Sequence, residues 1–234
     1  MDYVGVDGAK AGWVAAVLCD QGTTVRFYLL RDLRSTFSRV RAGNTWIAID
    51  IPIGLPRAGR RLCEAEARTR LGPRAPSVFS APCRGALTCE DYAAACAANL
   101  EARDKSLSRQ SFALFPRILE VDRLMTPERQ ARVREAHPEL SFAILAGRSL
   151  RAAKKTPAGI AERMLVLAKL GLVVDPAAER SWLGPGVGAD DVLAAAVCAV
   201  TARRVAEGTA FSLPEREQEP IRAGVQRTET GARS

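Results

Sequence analysis

The chain has 234 residues, 47% of them hydrophobic, with a formal charge of +8 and an isoelectric point near 9.6. A chain of that length can bury a full core as one domain, and no apolar run approaches the roughly 18 residues of a membrane span. It opens on a strand-like stretch rather than a basic leader, so a cytoplasmic protein is expected, and the basic balance favours an anionic partner such as nucleic acid.

In chain order, residues 3–6, 13–18 and 24–30 are β-prone runs separated by the Gly-containing turns DGAKAG and DQG, the pattern of an antiparallel meander. A helical stretch near 32–40 follows. The run TWIAID at 45–50 reads as a buried strand, ended by Pro52, Gly54 and Pro56. From residue 57 helical patterns dominate in RRLCEAEARTRL and EDYAAACAANLEA, then less regularly through FPRILEVDRL and PERQARV. Between the first two lies GPRAPSVFSAPCRG (72–85), a non-periodic loop long enough for a functional role to be considered. REAHPELSF (134–142) reads as a short fifth strand broken at Pro138 and turning into a helix. Helices are expected over 157–171, opened by a proline and closed by Gly171, and over 190–208, opened by acids and closed by Gly208. From Glu215 the chain turns polar, so a single domain over 1–214 with a disordered tail over 215–234 is expected. The order is three strands, a helix, a strand, a helical insertion, a strand and further helices. It matches an α/β fold of the ribonuclease H-like kind, a mixed five-stranded sheet flanked by helices.

Six cysteines (19, 63, 83, 89, 96 and 198) form no CxxC pair and His137 is the only histidine, which argues for free thiols and against a Cys/His zinc site. Carboxylates carry more chemistry. Asp7 follows an apolar strand in VGVDGAKAGW, and Asp50 ends another in IAIDIPIG. Either alone reads as a turn-forming acid. Together they would raise each other's pKa or recruit a hard cation, Mg²⁺ or Mn²⁺. Asp190 and Asp191 open a helix, where one can cap backbone amides while the other reaches toward Asp7 and Asp50. Carboxylates from two strands and one helix would suit metal-assisted phosphodiester hydrolysis, with Asp7, Asp50 and one of Asp190 and Asp191 as ligands.

Glu135, His137 and Glu139 cluster in EAHPE; Glu135 and His137 are candidate catalytic groups, although a histidine beside proline is often structural. Lys154 and Lys155 are candidate phosphate contacts or simply solvated. Seven arginines lie between Arg57 and Arg84, including Arg74 and Arg84, and form either a phosphate-facing surface or a solvated face. Gln110, Arg117, Glu120 and Asp122 are expected to make local salt bridges.

VGVDGAKAGW, IAIDIPIGLP, ARTRLGPRAPSVFSAPCRGAL, LSRQSFALFPRILEVDRLM, REAHPELSF, KKTPAGIAERMLVL and GADDVLAAAVCAVTARR together resemble the domain-of-unknown-function family 429, described as predicted nucleases with a ribonuclease H-like fold. The resemblance implies that Asp7, Asp50, Glu135, His137 and Asp191 form an acidic pocket with Lys154 nearby. In the family's last motif, DDVLDA, a further acid stands where this chain has Ala194. The expected function is therefore a divalent-metal-dependent nuclease or phosphoesterase. The alternative is a non-catalytic nucleic-acid or nucleotide-binding protein of the same fold.

Overall fold

The computed structural model describes residues 1–19, 22–41 and 43–214; the expected tail over 215–234 lies outside them. Three strands come first: β1 (Asp2–Ala9), β2 (Gly12–Cys19) and β3 (Val25–Leu30). After α1 (Arg34–Arg41) comes β4 (Thr45–Ile49). A helical insertion then runs through α2 (Leu62–Leu71), α3 (Tyr92–Arg103), α4 (Arg109–Ala113), α5 (Phe115–Leu124) and α6 (Pro127–Gln130) before β5 (Val133–Glu135). The chain continues through α7 (Pro138–Ala146), α8 (Pro157–Ala168), α9 (Pro176–Leu183) and α10 (Ala189–Ala206). The sheet is mixed, in the order β3-β2-β1-β4-β5, with β1–β2 and β2–β3 antiparallel and β1–β4 and β4–β5 parallel.

Both faces of the sheet are covered, which explains why β1 is buried from Tyr3 to Val6 without a break. On one face Val4, Val6, Ile47 and Ile49 pack with Phe37, Phe115 and Ile118. On the other, Tyr3, Val14, Ala16 and Leu18 pack against α10. That helix is apolar almost all round, and Val192–Val200 is buried throughout, as expected of a central helix. Its backbone lies directly on β1: a Cβ at Gly5 would come within 2.0 Å of the Ala195 carbonyl oxygen. Only glycine allows that approach.

Several elements differ from the sequence reading. The 134–142 segment is not one broken strand; β5 ends at Glu135, and Pro138 sits in the first turn of α7, where its missing N–H costs nothing. The expected helices over 157–171 and 190–208 end at Ala168 and Ala206, with Gly171 (φ 79°) and Gly208 (φ 68°) just beyond in the left-handed region. The loop at 72–85 begins and ends in 3₁₀ turns, Gly72–Ser77 and Arg84–Thr88. The helix α9 was not anticipated; Asp175 caps it through the amides of Ala177 and Ala178, with Pro176 next. All six cysteines are free. Among the described residues no helix is long and apolar enough to cross a membrane.

Candidate active site

The parallel strands β1, β4 and β5 deliver their carboxyl ends to one place. Val6 pairs with Ile49, and the Asp50 amide still bonds the Val6 carbonyl at 3.0 Å, so Asp7 and Asp50 are the next neighbours in register. On β5, Glu135 pairs with Ile49 and the Ala136 amide bonds the Ile49 carbonyl at 2.9 Å, bringing the EAHPE segment to the same edge. A crevice beyond the carboxyl ends of parallel strands is the usual ligand position in open α/β sheets.

Alternation along β1 puts Asp7 on the same face as Gly5, the face that α10 crosses. The absent Cβ of Gly5 lets α10 settle close, so its first turn, carrying Asp190 and Asp191, comes within electrostatic reach of Asp7. Asp191 turns back on the start of α10, its Oδ2 accepting the Gly188 amide at 2.8 Å. Asp190 is buried and pairs with Lys154, Oδ2 to Nζ 3.4 Å. Gly188 makes room for this: a Cβ there would lie 2.6 Å from Asp190 Oδ1.

Asp7 is only 7% exposed, and its pKa is pushed well above the carboxylate range, first by burial and then by Asp50, with Lys154 pulling the other way and Asp191 adding to the rise. Asp50 is raised by burial, against the pull of His137 and Lys154. Asp7 and Asp50 lie close enough for each carboxyl group to influence the other. Asp191 is raised by burial too, although its bond from the Gly188 amide opposes the shift. Partial desolvation works against the charge on Lys154, but Asp7, Asp190 and Asp50 outweigh it and hold the ammonium above its usual range.

Lys154 is seated by its own loop. Glu162 accepts the amides of Arg151 (3.0 Å) and Ala152 (3.1 Å), and Thr156 caps α8 through the Gly159 amide. A Cβ at Gly159 would stand 1.9 Å from the Ala153 carbonyl oxygen. The KKTPAG segment therefore packs backbone on backbone, and Lys154 projects from a fixed base.

The other candidates are engaged elsewhere. Both Glu135 oxygens accept from Arg61, one at 3.0 Å, and Oε2 also takes the Ile53 amide at 2.8 Å, so this carboxylate ties the segment after Asp50 to β5. His137 is the N-cap of α7. Its Nδ1 accepts the Leu140 amide at 3.2 Å, which places the ring proton on Nε2, facing the Ser77 carbonyl at 3.2 Å. Glu139 pairs with buried Arg163 at 2.5 Å. Arg74 donates to the carbonyls of Leu150 and Arg151, and Arg84 makes a two-pronged pair with Asp122 at 2.7 and 2.8 Å. Lys155 is exposed beside Asp191 and lowers its pKa.

The expectation of local salt bridges from Arg117, Glu120 and Asp122 is corrected. Arg117 donates to the carbonyls of Ala9 and Gly12, bracing the β1–β2 turn next to Asp7, and a Cβ at Gly8 would meet its guanidinium at 2.8 Å. Glu120 accepts the Trp13 indole N–H at 2.9 Å and the Leu33 amide at 2.7 Å. These partners stand 87 to 108 residues apart in sequence. The long reach suits buttressing of the site rather than a local pair.

The cleft over this edge encloses about 2300 Å³ and is lined by Asp7, Asp50, Lys154, Asp190, Asp191 and the segments around Arg57 and Phe79. That exceeds the roughly 300–1000 Å³ typical of small-molecule pockets. Of the seven arginines from Arg57 to Arg84, only Arg57 and Arg60 lack a partner among the described residues; Arg61, Arg68, Arg70, Arg74 and Arg84 hold carboxylates, carbonyls or, for Arg70, the Phe211 ring. The pairing of Asp190 with Lys154 was not foreseen in the sequence, and one residue outside the sequence argument emerges, Phe79, exposed in the cleft. The DD pair before an apolar helix was the available signal for the first. For the second it was a lone aromatic in a non-periodic loop.

Among the described residues no three His, Cys, Asp or Glu side chains converge as a ready metal cage. The oxygen donors of Asp7 and Asp50 nonetheless suit Mg²⁺, which is commonly held by one or two carboxylates with waters and substrate oxygens completing its shell. They do not suit a closed all-protein site.

Residues 5–219 match the model of the family described as protein of unknown function (DUF429), and the chain belongs to that family. No curated protein and no solved structure matches it.

Proposed function

From that membership and the cleft geometry, we propose that the protein is a divalent-metal-dependent hydrolase of phosphodiester bonds in nucleic acid, built on a ribonuclease H-like fold. The observation that carries the reading is the Asp7–Asp50 pair, one buried and one partly buried carboxyl group on adjacent parallel strand ends at the floor of an open cleft. Leaving such groups in the core costs stability unless a cation uses them. Asp7 and Asp50 would hold the ion, with Asp191 adding negative charge nearby. When bound, Mg²⁺ or Mn²⁺ supplies charge neutralisation and an activated water. Lys154 keeps the carboxylates compensated, and Arg57, Arg60 and Lys155 draw the phosphate backbone to the rim. Glu135 and His137 act as positioning groups, since their polar atoms are already engaged. The mixed sheet with helices on both faces supports the fold comparison, and the size of the cleft supports a polymer rather than a metabolite.

The test is Mn²⁺-dependent cleavage of single-stranded, duplex and hybrid oligonucleotides by the parent chain and by Asp7→Asn and Asp50→Asn. Loss of cleavage in both variants, with the fold retained, is expected. Absence of cleavage by the parent on every substrate overturns the reading.

One observation favours a second reading, a nucleic-acid or nucleotide-binding protein that does not cleave. Lys154 already neutralises the carboxylates, and Ala194 lines the cleft where the family motif carries an acid. Salt-sensitive binding with no turnover in any divalent metal is the result it expects.

A further inference from the structure

We propose that Phe79 is a stacking platform for an unpaired base, so that the cleft takes nucleic acid as a single strand. This inference rests on the reading of the cleft as a nucleic-acid site and names the form of substrate. The Phe79 ring is 49% exposed and lines the same cleft as Asp7 and Asp50. A single exposed apolar side chain needs no explanation by itself. What distinguishes Phe79 is how completely the backbone around it is held.

Val78 and Ala81 on either side are buried anchors. The Val78 carbonyl accepts from Arg68 at 2.8 Å, and the Ser80 hydroxyl accepts from Arg68 and from Lys105, each at 3.0 Å. The Ala81 amide donates to buried Glu64 at 2.8 Å, while its carbonyl accepts from buried Arg103. Two residues on, the Cys83 amide donates to buried Asn99 at 2.7 Å. Upstream, the Ser77 carbonyl faces His137 Nε2. Burying a glutamate, an arginine and an asparagine to fix one short loop is costly, and such networks specify a single conformation when fully bonded. Here the conformation they specify holds a phenyl ring out in the cleft rather than folding it into the adjoining core.

The chemistry of the same cleft points to the occupant. Arg57 and Arg60 are exposed and lack partners among the described residues, and both line the cleft with Phe79. An exposed aromatic face in a cleft that also carries unpaired guanidinium groups suits single strands, because every base offers a π-face and every nucleotide a phosphate. In a duplex the base faces are stacked on one another, and the ring has nothing to meet.

The experiment uses the full chain carrying Asp7→Asn, so that a bound strand is not consumed. Fluorescence anisotropy measures its affinity for a fluorescein-labelled oligonucleotide of about 15 nucleotides, single-stranded and annealed to its complement. Phe79→Ala in that background is expected to weaken single-strand binding about tenfold or more, the size of one base–aromatic stack. Duplex binding and the melting temperature should stay unchanged, since the ring is half exposed. Phe79→Trp should keep the affinity, with indole fluorescence quenched on binding. Single-strand affinity within twofold of the parent in Phe79→Ala, or duplex bound as tightly as single strand, overturns the proposal. Phe79-dependent single-strand binding without hydrolysis by the unmutated chain supports it while overturning the hydrolase reading. No binding to either oligonucleotide overturns it together with the nucleic-acid assignment.

Discussion

At the scale of single residues, Asp7 is a site of stored instability. Its folded-state pKa is raised well above the ordinary 3.8, so the folded chain holds that proton more tightly than the unfolded one. Stability from this group is therefore greatest at low pH and falls as pH rises from 3.8 through the folded value. Asp7→Asn removes the titration. It is expected to stabilise the protein at neutral pH by about 1 kcal/mol, a rise of roughly 2–4 °C in melting temperature, with the gain vanishing near pH 4. Melting curves across that range check it. Lys154→Met should act oppositely, leaving the carboxylates uncompensated. Its side chain is 55% exposed, so the cost is held to about 1 kcal/mol. Because the two share one cluster, the double variant should be more stable than the sum of the single effects, which nearly cancel, and a double-mutant cycle measures the difference. That Asp7 and Asp50 each close a buried strand is legible in the sequence, since each follows an apolar run at a Gly- or Pro-marked strand end, whereas their juxtaposition is implied by the family resemblance and set by the parallel register of β1 and β4. The engagement of Arg84 with Asp122 and of Arg61 with Glu135 is not, because those partners stand 38 and 74 residues apart and only the tertiary fold selects them.

At the scale of elements, the site depends on how closely α10 lies on β1. Strand and helix are each readable from their patterns, but their separation is set by one missing side chain. Gly5→Ala would place a Cβ 2.0 Å from the Ala195 carbonyl oxygen and 2.1 Å from the Ala199 amide nitrogen, both backbone atoms that cannot rotate away. We expect a loss of about 3 kcal/mol or more and a melting temperature lower by on the order of 10 °C. Gly188→Ala is a useful contrast. Its Cβ meets a mobile carboxylate, that of Asp190, so the stability cost should stay near the ~1 kcal/mol of a poorer helix cap. Mn²⁺ affinity, read by titration calorimetry, should fall with it as Asp190 is displaced. The same dependence on tertiary context explains the misreading around Pro138. From sequence a proline after a strand-like run looks like a break within it, whereas His137 turns it into a helix start by capping α7 and bonding Ser77 across the cleft wall.

At the scale of the whole molecule, the charge of +8 overstates what a ligand meets. Residues 215–234 hold four arginines (216, 222, 227 and 233) and four glutamates (215, 217, 219 and 229), so the excess belongs to the body of the chain. Within that body most cleft arginines are spent on carboxylates and carbonyls, as Arg61, Arg84 and Arg117 show. Composition alone therefore suggests a broad basic surface, while the structure leaves as rim cations Arg57 and Arg60, which have no partner among the described residues, and Lys155, exposed beside Asp191. The two pictures make different predictions for salt. A single strand neutralised at Z phosphates loses affinity with a log–log slope of about −0.7Z, so three rim cations imply a slope near −2. Anisotropy titrations from 50 to 300 mM salt should give about that value, and Arg57→Ala, Arg60→Ala and Lys155→Ala should each lower it by about 0.7. Arg84→Ala, which frees Asp122 instead of removing an available cation, should leave the slope unchanged. A slope of about −5 or steeper would show that the paired arginines also release their partners to bind phosphate, and the cleft would then be a more labile surface than its hydrogen bonds indicate.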